Sequence, residues 1–157
     1  ENWRSKSMAE RMLSQQSAGV HRLANKGSAQ QKPVSARTRT RGAASYLSGL
    51  AAEEAVCQRL RRAGWIILLQ RARTRRGEID IVAQNGALIS FIEVKQRQTL
   101  RGAAECLSTA QSRRLFRAAE CLVQAHPHWR YDDLRFDLFM LDATGEMDWL
   151  QDIIRQM

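Results

Sequence analysis

The chain holds little of what the common specialised scaffolds require. Its three cysteines, Cys57, Cys106 and Cys121, are odd in number, lack Cys-x-x-Cys spacing and sit in stretches of helical character. Neither a disulfide framework nor a zinc site is expected, and a reducing cytoplasm is the default compartment. His126 and His128 follow Cys121 at a spacing that matches no familiar zinc site, and Pro127 between them marks a helix end. The longest apolar run, Trp65 to Leu69, falls far short of the roughly 20 residues that span a membrane. No charged-then-apolar signal segment opens the chain, so a soluble protein without a membrane partner is expected. Neither a Gly-x-x-x-x-Gly-Lys phosphate loop nor a Gly-x-Ser-x-Gly elbow occurs, which leaves ATP use and serine hydrolysis without support. Trp65, Trp129 and Trp149 read as core or edge packing rather than as base-stacking platforms.

Charge, by contrast, is plentiful and unevenly placed. Lys and Arg number 25 against 16 Asp and Glu, a net +9 that favours a polyanionic partner. Residues 1–45 hold nine of the basic and two of the acidic residues, which leaves sixteen and fourteen for residues 46–157. The excess is thus mainly a property of the N-terminal stretch. Rich in Ser, Gln, Lys, Arg and Ala, that stretch has too few large apolar side chains to offset the entropy of ordering. The expected organisation is a basic, mostly disordered tail over 1–45, with a marginal helix around Met8 to Gln16, and one α/β domain over 46–157.

Within the domain, Leu47, Leu50, Ala51, Ala55 and Leu60 predict a helix over 45–63, stopped by Gly64. Trp65 to Gln70 fits a buried strand, and the arginines at 71, 73, 75 and 76 are expected in a loop ending at Gly77. Ile79 to Ala83 and Ala87 to Lys95 are strand-like runs around Gln84-Asn85-Gly86, a strong hairpin signal. Leu115, Phe116, Ala118, Ala119, Leu122 and Val123 place a second helix over 108–125. Leu134 to Leu141 alternates as a strand, and Trp149 to Ile154 suggests a closing short helix or strand. The order α-β-β-β-α-β implies a mixed sheet flanked by helices, because a tight turn makes its strands antiparallel and a helical crossover returns the later one.

The hairpin concentrates the chemistry. A two-residue turn at Asn85-Gly86 would set Asp80 opposite Phe91 and Glu78 opposite Glu93, so Glu78, Asp80, Glu93 and Lys95 all project from one face. Carboxylates set among Ile79, Ile81, Phe91 and Val94 repel one another and lose solvation unless a cation lies between them. Mg²⁺ meets that need with one or two carboxylates, keeping other positions for water and phosphate, and Mn²⁺ is expected to substitute. Lys95 is placed to assist the attacking water or neutralise the reacting phosphate. It is also the one lysine among the sixteen basic residues after position 45, and an ammonium, unlike a guanidinium, can be deprotonated by burial. A Glu-x-Lys pair taken alone is more often just an exposed polar face.

Gly77-Glu78-Ile79-Asp80-Ile81-Val82-Ala83 followed by Phe91-Ile92-Glu93-Val94-Lys95-Gln96-Arg97 resembles the signature of the YraN-like proteins. These are predicted bacterial endonucleases of the restriction-endonuclease-like PD-(D/E)XK superfamily, distantly related to archaeal Holliday junction resolvases. The resemblance spans residues 46–154 and implies a restriction-endonuclease-like sheet, with Asp80 and Glu93 as metal-binding carboxylates and Lys95 as the catalytic lysine. It also implies Glu53 on the first helix as a third acidic, metal-binding residue, with Glu54 ranked lower. Gln111 departs from the lysine the family often carries on its second long helix, and Gln111 and Glu78 are accessory candidates.

Arg73, Arg75, Arg76, Arg97 and Arg101, with Arg71, flank the expected site and suit sequence-independent phosphate contacts. Arg113, Arg114 and Arg117 form a stripe on the second helix that suits either DNA or solvent. The leading expectation is a Mg²⁺-dependent DNA endonuclease, structure-selective or nonspecific. A nucleic-acid-binding module that cuts poorly or not at all is the runner-up, and an interaction protein with a surface acidic hairpin stands third. A homodimer would suit the cutting of two strands of a junction.

Overall fold

The computed structural model describes residues 36–97 and 107–154. Helix α1 (Ala36–Arg62) leads into an antiparallel meander of β1 (Ile66–Thr74), β2 (Gly77–Asn85) and β3 (Leu88–Gln96). Helix α2 (Thr109–Ala125) then crosses over to β4 (Asp133–Leu141), and β5 (Met147–Leu150) closes the sheet. The strands lie in the order β1-β2-β3-β4-β5, antiparallel except for the β3–β4 pair. The expected mixed α/β sheet is therefore present, with the closing segment a fifth strand.

Each sheet face carries one helix. Ala52, Val56, Cys57 and Leu60 of α1 share a helical stripe and bury against Trp65, Ile81, Ala83, Ile92, Phe139 and Leu141. Leu115, Ala118, Ala119 and Leu122 of α2 bury against Val82, Ile89, Phe91, Leu134 and Phe136 on the other face. Helix α1 ends at Gly64, whose φ of 84° suits a glycine. There the Gly64 amide donates to Arg61 O and the Trp65 amide to Leu60 O, each at 3.0 Å, which satisfies carbonyls that a helix end leaves open. Helix α2 opens with a reciprocal cap between Ser108 and Gln111.

Three expectations need correction. Helix α1 begins at Ala36, inside the stretch read as tail, rather than at 45; residues 1–35, including the marginal helix around Met8, lie outside the described residues. Only Arg75 and Arg76 of the arginine run lie in a turn before Gly77, because β1 continues through Arg71 and Arg73 to Thr74. As an edge strand it can carry charge outward while Ala72 turns inward, and Glu78 on β2 supplies a cross-strand partner for Arg73. The third correction concerns the β2–β3 turn, which is Gly86-Ala87 and not Asn85-Gly86, since Asn85 pairs with Leu88. Gly86, at φ 58°, occupies the first turn position, where glycine is favoured in a two-residue hairpin.

Candidate active site

The changed turn moves the hairpin register by two residues. Ile81 pairs with Ile92 and Val82 with Phe91, so Asp80 falls in line with Glu93 rather than with Phe91. A slip of two keeps every side chain on its expected face, whereas a slip of one would have inverted them all. Backbone pairing stops at Ile81–Ile92, and beyond it Asp80 Oδ2 accepts a hydrogen bond from the Val94 amide at 2.8 Å. Glu93 Oε1 is paired with Lys95 Nζ, two residues along the same strand. Asp80, Glu93 and Lys95 thus gather where β2 begins and β3 ends.

Asp80 and Glu93 line a cavity of about 230 Å³ together with Gly77, Glu78, Gln111, Arg114 and Leu115. The first turns of α2 form its helical wall, and Gly77 packs against that wall near Arg114. Burial pushes the Asp80 carboxyl up to about 7; the neighbouring Glu93 and Glu53 add to the rise, while the Val94 amide and Lys95 oppose it. Two carboxylates of this kind form a donor set that fits a hard divalent ion, and Mg²⁺ normally takes only one or two. Among the described residues, no three His, Cys, Asp or Glu side chains converge into a ready-made metal cage.

Glu53 lies nearby on α1 but does not line the cavity. Its Oε1 is 3.4 Å from Arg71 Nη1, and its carboxyl is raised, chiefly by burial, with Arg71 opposing and Glu78 and Glu93 assisting. Arg71 also reaches Glu78 at 3.1 Å, and Arg73 meets the other Glu78 oxygen at 2.8 Å. Glu78 is therefore an anchor for two arginines as well as part of the cavity wall. Gln111 lines the cavity, but its Oε1 accepts from the Ser108 amide at 3.0 Å and so also serves the helix cap. Arg75 and Arg76 are exposed at the β1–β2 turn. Arg97 is exposed past β3, its Nη1 donating to Gln96 O at 2.9 Å, and Arg101 lies outside the described residues.

The model of an uncharacterised protein family, UPF0102, matches residues 52–141, which contain Asp80, Glu93 and Lys95. The chain belongs to UPF0102. This is the YraN-like family whose motifs the hairpin resembles, and it is PD-(D/E)XK-like, that is, nuclease-like. A UPF0102 protein of Granulibacter bethesdensis is 39% identical over 115 residues, covering 73% of each chain. A UPF0102 protein of Rhodopseudomonas palustris is 41% identical over 98 residues, 62% of this chain and 75% of the relative. One from Ruegeria pomeroyi is 37% identical over 109 residues, 69% of this chain and 89% of the relative.

Two features of this UPF0102 chain escape a sequence reading. Arg71 links Glu53 on α1 to Glu78 on β2, and it sits at φ 49° in a strand whose register shifts between Ile67 and Leu69. No local pattern announces a left-handed arginine. Arg114 stands out from the α2 arginine stripe as the member that lines the cavity, and only the placement of α2 against Gly77 makes that selection.

Proposed function

We propose that this protein is a metal-dependent endonuclease that hydrolyses phosphodiester bonds in DNA, branched DNA included. The observation that carries the reading is the gathering of Asp80 and Glu93 on one cavity wall, with Lys95 paired to Glu93. Asp80 and Glu93 would hold Mg²⁺, with Mn²⁺ able to substitute, and such an ion polarises a phosphodiester and acidifies a bound water. Held by the Val94 amide, Asp80 keeps a fixed position relative to the strand end that carries the other two groups. Lys95 brings an ammonium beside Glu93, where it neutralises charge gathering on the phosphate. Glu53, paired with Arg71, would contribute to the ion directly or through water. Arg73, Arg75 and Arg76 at the β1–β2 hairpin end, with Arg97 and Arg101, supply salt-sensitive contacts to the nucleic-acid backbone. Two active sites would serve the two strands of a junction, which suits a homodimer, and the expected compartment is the cytoplasm.

One observation favours a second reading. Glu93 is already paired with Lys95, and Glu53 with Arg71, so part of the acidic cluster is neutralised within the protein. A nucleic-acid-binding module that cuts slowly or not at all would have this appearance. The deciding experiment is a panel of branched, flapped and linear DNA with Mg²⁺ or Mn²⁺, run with the wild type, Asp80→Ala and Lys95→Ala. Cleavage by the wild type that both substitutions abolish supports the nuclease; equal cleavage by all three contradicts it. Salt-dependent binding without cleavage supports the module, and absence of any binding points to an interaction protein.

A further inference from the structure

Charge accounting around the cavity singles out one residue. Lys95 is engaged by Glu93, Arg71 by Glu53 and Glu78, and Arg73 by Glu78. Arg76 and Arg117 act on Glu120, whose carboxyl is raised by burial against their opposing pull. Arg114 is the sole cation among the residues lining the cavity, and it forms no ion pair with any described residue. Arg114 is exposed, with the base of its side chain beside Gly77: a β-carbon on Gly77 would stand 3.6 Å from Arg114 Cγ and 3.8 Å from its carbonyl oxygen. The helix that carries it is fixed at its start by the Ser108–Gln111 cap, with Gln111 one turn before Arg114 on the same wall.

We propose that Arg114 is the phosphate anchor of this cavity, the group that binds a backbone phosphate of DNA beside Asp80 and Glu93. The inference rests on the nuclease reading of the same cavity and adds the residue that holds the substrate there. A guanidinium offers a planar fork of donors that matches two phosphate oxygens, and one without a carboxylate partner gives up no ion pair to do so. The cavity would otherwise present only Glu78, Asp80 and Glu93 as charged groups, a wall that repels a phosphodiester. Arg114 on the helical side offsets that repulsion and fixes the side from which the strand enters.

The test is binding of fluorescently labelled duplex and four-way-junction DNA in EDTA over a range of salt concentrations, which needs no cleavage. Arg114→Met removes the charge while keeping an apolar stem against Gly77, and circular dichroism melts confirm that the variant is folded. Arg62→Met, at the far end of α1, is the control. The expected result is affinity weakened about five- to tenfold by Arg114→Met, with the slope of log Kd against log salt reduced by about one, and little change with Arg62→Met. Arg114→Lys should restore the slope. Wild-type affinity and slope in a folded Arg114→Met protein, or an equal loss in the control, would overturn the anchor. If the wild type still cleaves DNA in that case, the nuclease reading survives; a wild type that binds no DNA overturns both.

Discussion

Asp80 Oδ2 accepts the Val94 amide hydrogen at 2.8 Å, at the point where backbone pairing between β2 and β3 has stopped. A side-chain carboxylate thus stands where a strand carbonyl would otherwise satisfy that amide, and the price is a partly buried charge beside Glu93.

That cost has a sign that pH reveals. Asp80 titrates at about 7 in the folded protein, against about 4 for an unperturbed aspartate, because burial and then Glu93 disfavour its charge. Between those values the folded state retains a proton that the unfolded chain has lost, so stability falls as pH rises through the window and the loss is complete above it. Asp80→Asn can still accept from Val94 without the charge. Without divalent metal it is expected to be more stable than the wild type at pH 8, by about 2 to 4 kcal/mol, with the gap closing toward pH 4. Thermal melts at pH 4, 6 and 8 measure this, and a pH-independent gap would contradict it.

Gly77 sits at φ 151°, in backbone space that side chains rarely enter, while its contacts with Arg114 leave ordinary van der Waals room. Gly77→Ala should therefore cost stability through backbone strain, about 1 to 3 kcal/mol, read from the urea midpoint. An unchanged midpoint would show that β2 can start in another conformation.

Lys95→Met keeps most of the stem and removes the ammonium. On the proposed function it lowers kcat by roughly a hundredfold or more with little change in KM, since the charge acts on the reacting phosphate rather than on distant contacts. Single-turnover cleavage separates the two, and a variant altered only in KM would make Lys95 a binding residue.

Asp137 is fully buried and accepts from Arg135 Nη2 at 2.8 Å, Trp149 Nε1 at 3.1 Å and the Asp152 amide at 3.0 Å. It ties β4 to the C-terminal segment, and Arg135 Nε lies 2.8 Å from its other oxygen. Asp137→Ala would strand a largely buried guanidinium and should cost about 3 to 5 kcal/mol by denaturant titration. The double variant Asp137→Leu with Arg135→Met should recover much of that loss, and failure to do so would locate the cost in the lost bonds to Trp149 and Asp152.

The parts of the fold legible in the sequence were those set by periodicity and by parity. The α2 stripe at Leu115, Ala118, Ala119 and Leu122 follows from a repeat of 3.6, and β4 is a strand although its alternation stops at Phe136, from which every residue to Leu141 is buried. The acidic face survived a misplaced turn because Gly86 moved the register by two, which left Asp80, Glu93 and Lys95 on one side. What stayed hidden was tertiary. The arginines of β1 look like a loop until Glu78 is known to lie across from Arg73, and Glu53 looks like a free ligand until Arg71 is found beside it. Asp137 sits in a strand pattern that gives no hint of the Trp149 and Asp152 groups that hold it.

Titration of Mn²⁺ into the wild type, Asp80→Asn and Glu93→Gln, followed by calorimetry or electron paramagnetic resonance, tests the acidic pair without requiring a known substrate. Saturable binding of one ion per chain, strongly weakened by Asp80→Asn and by Glu93→Gln, is the predicted result. Equal binding by all three proteins, or none by the wild type, would contradict a metal site at Asp80 and Glu93.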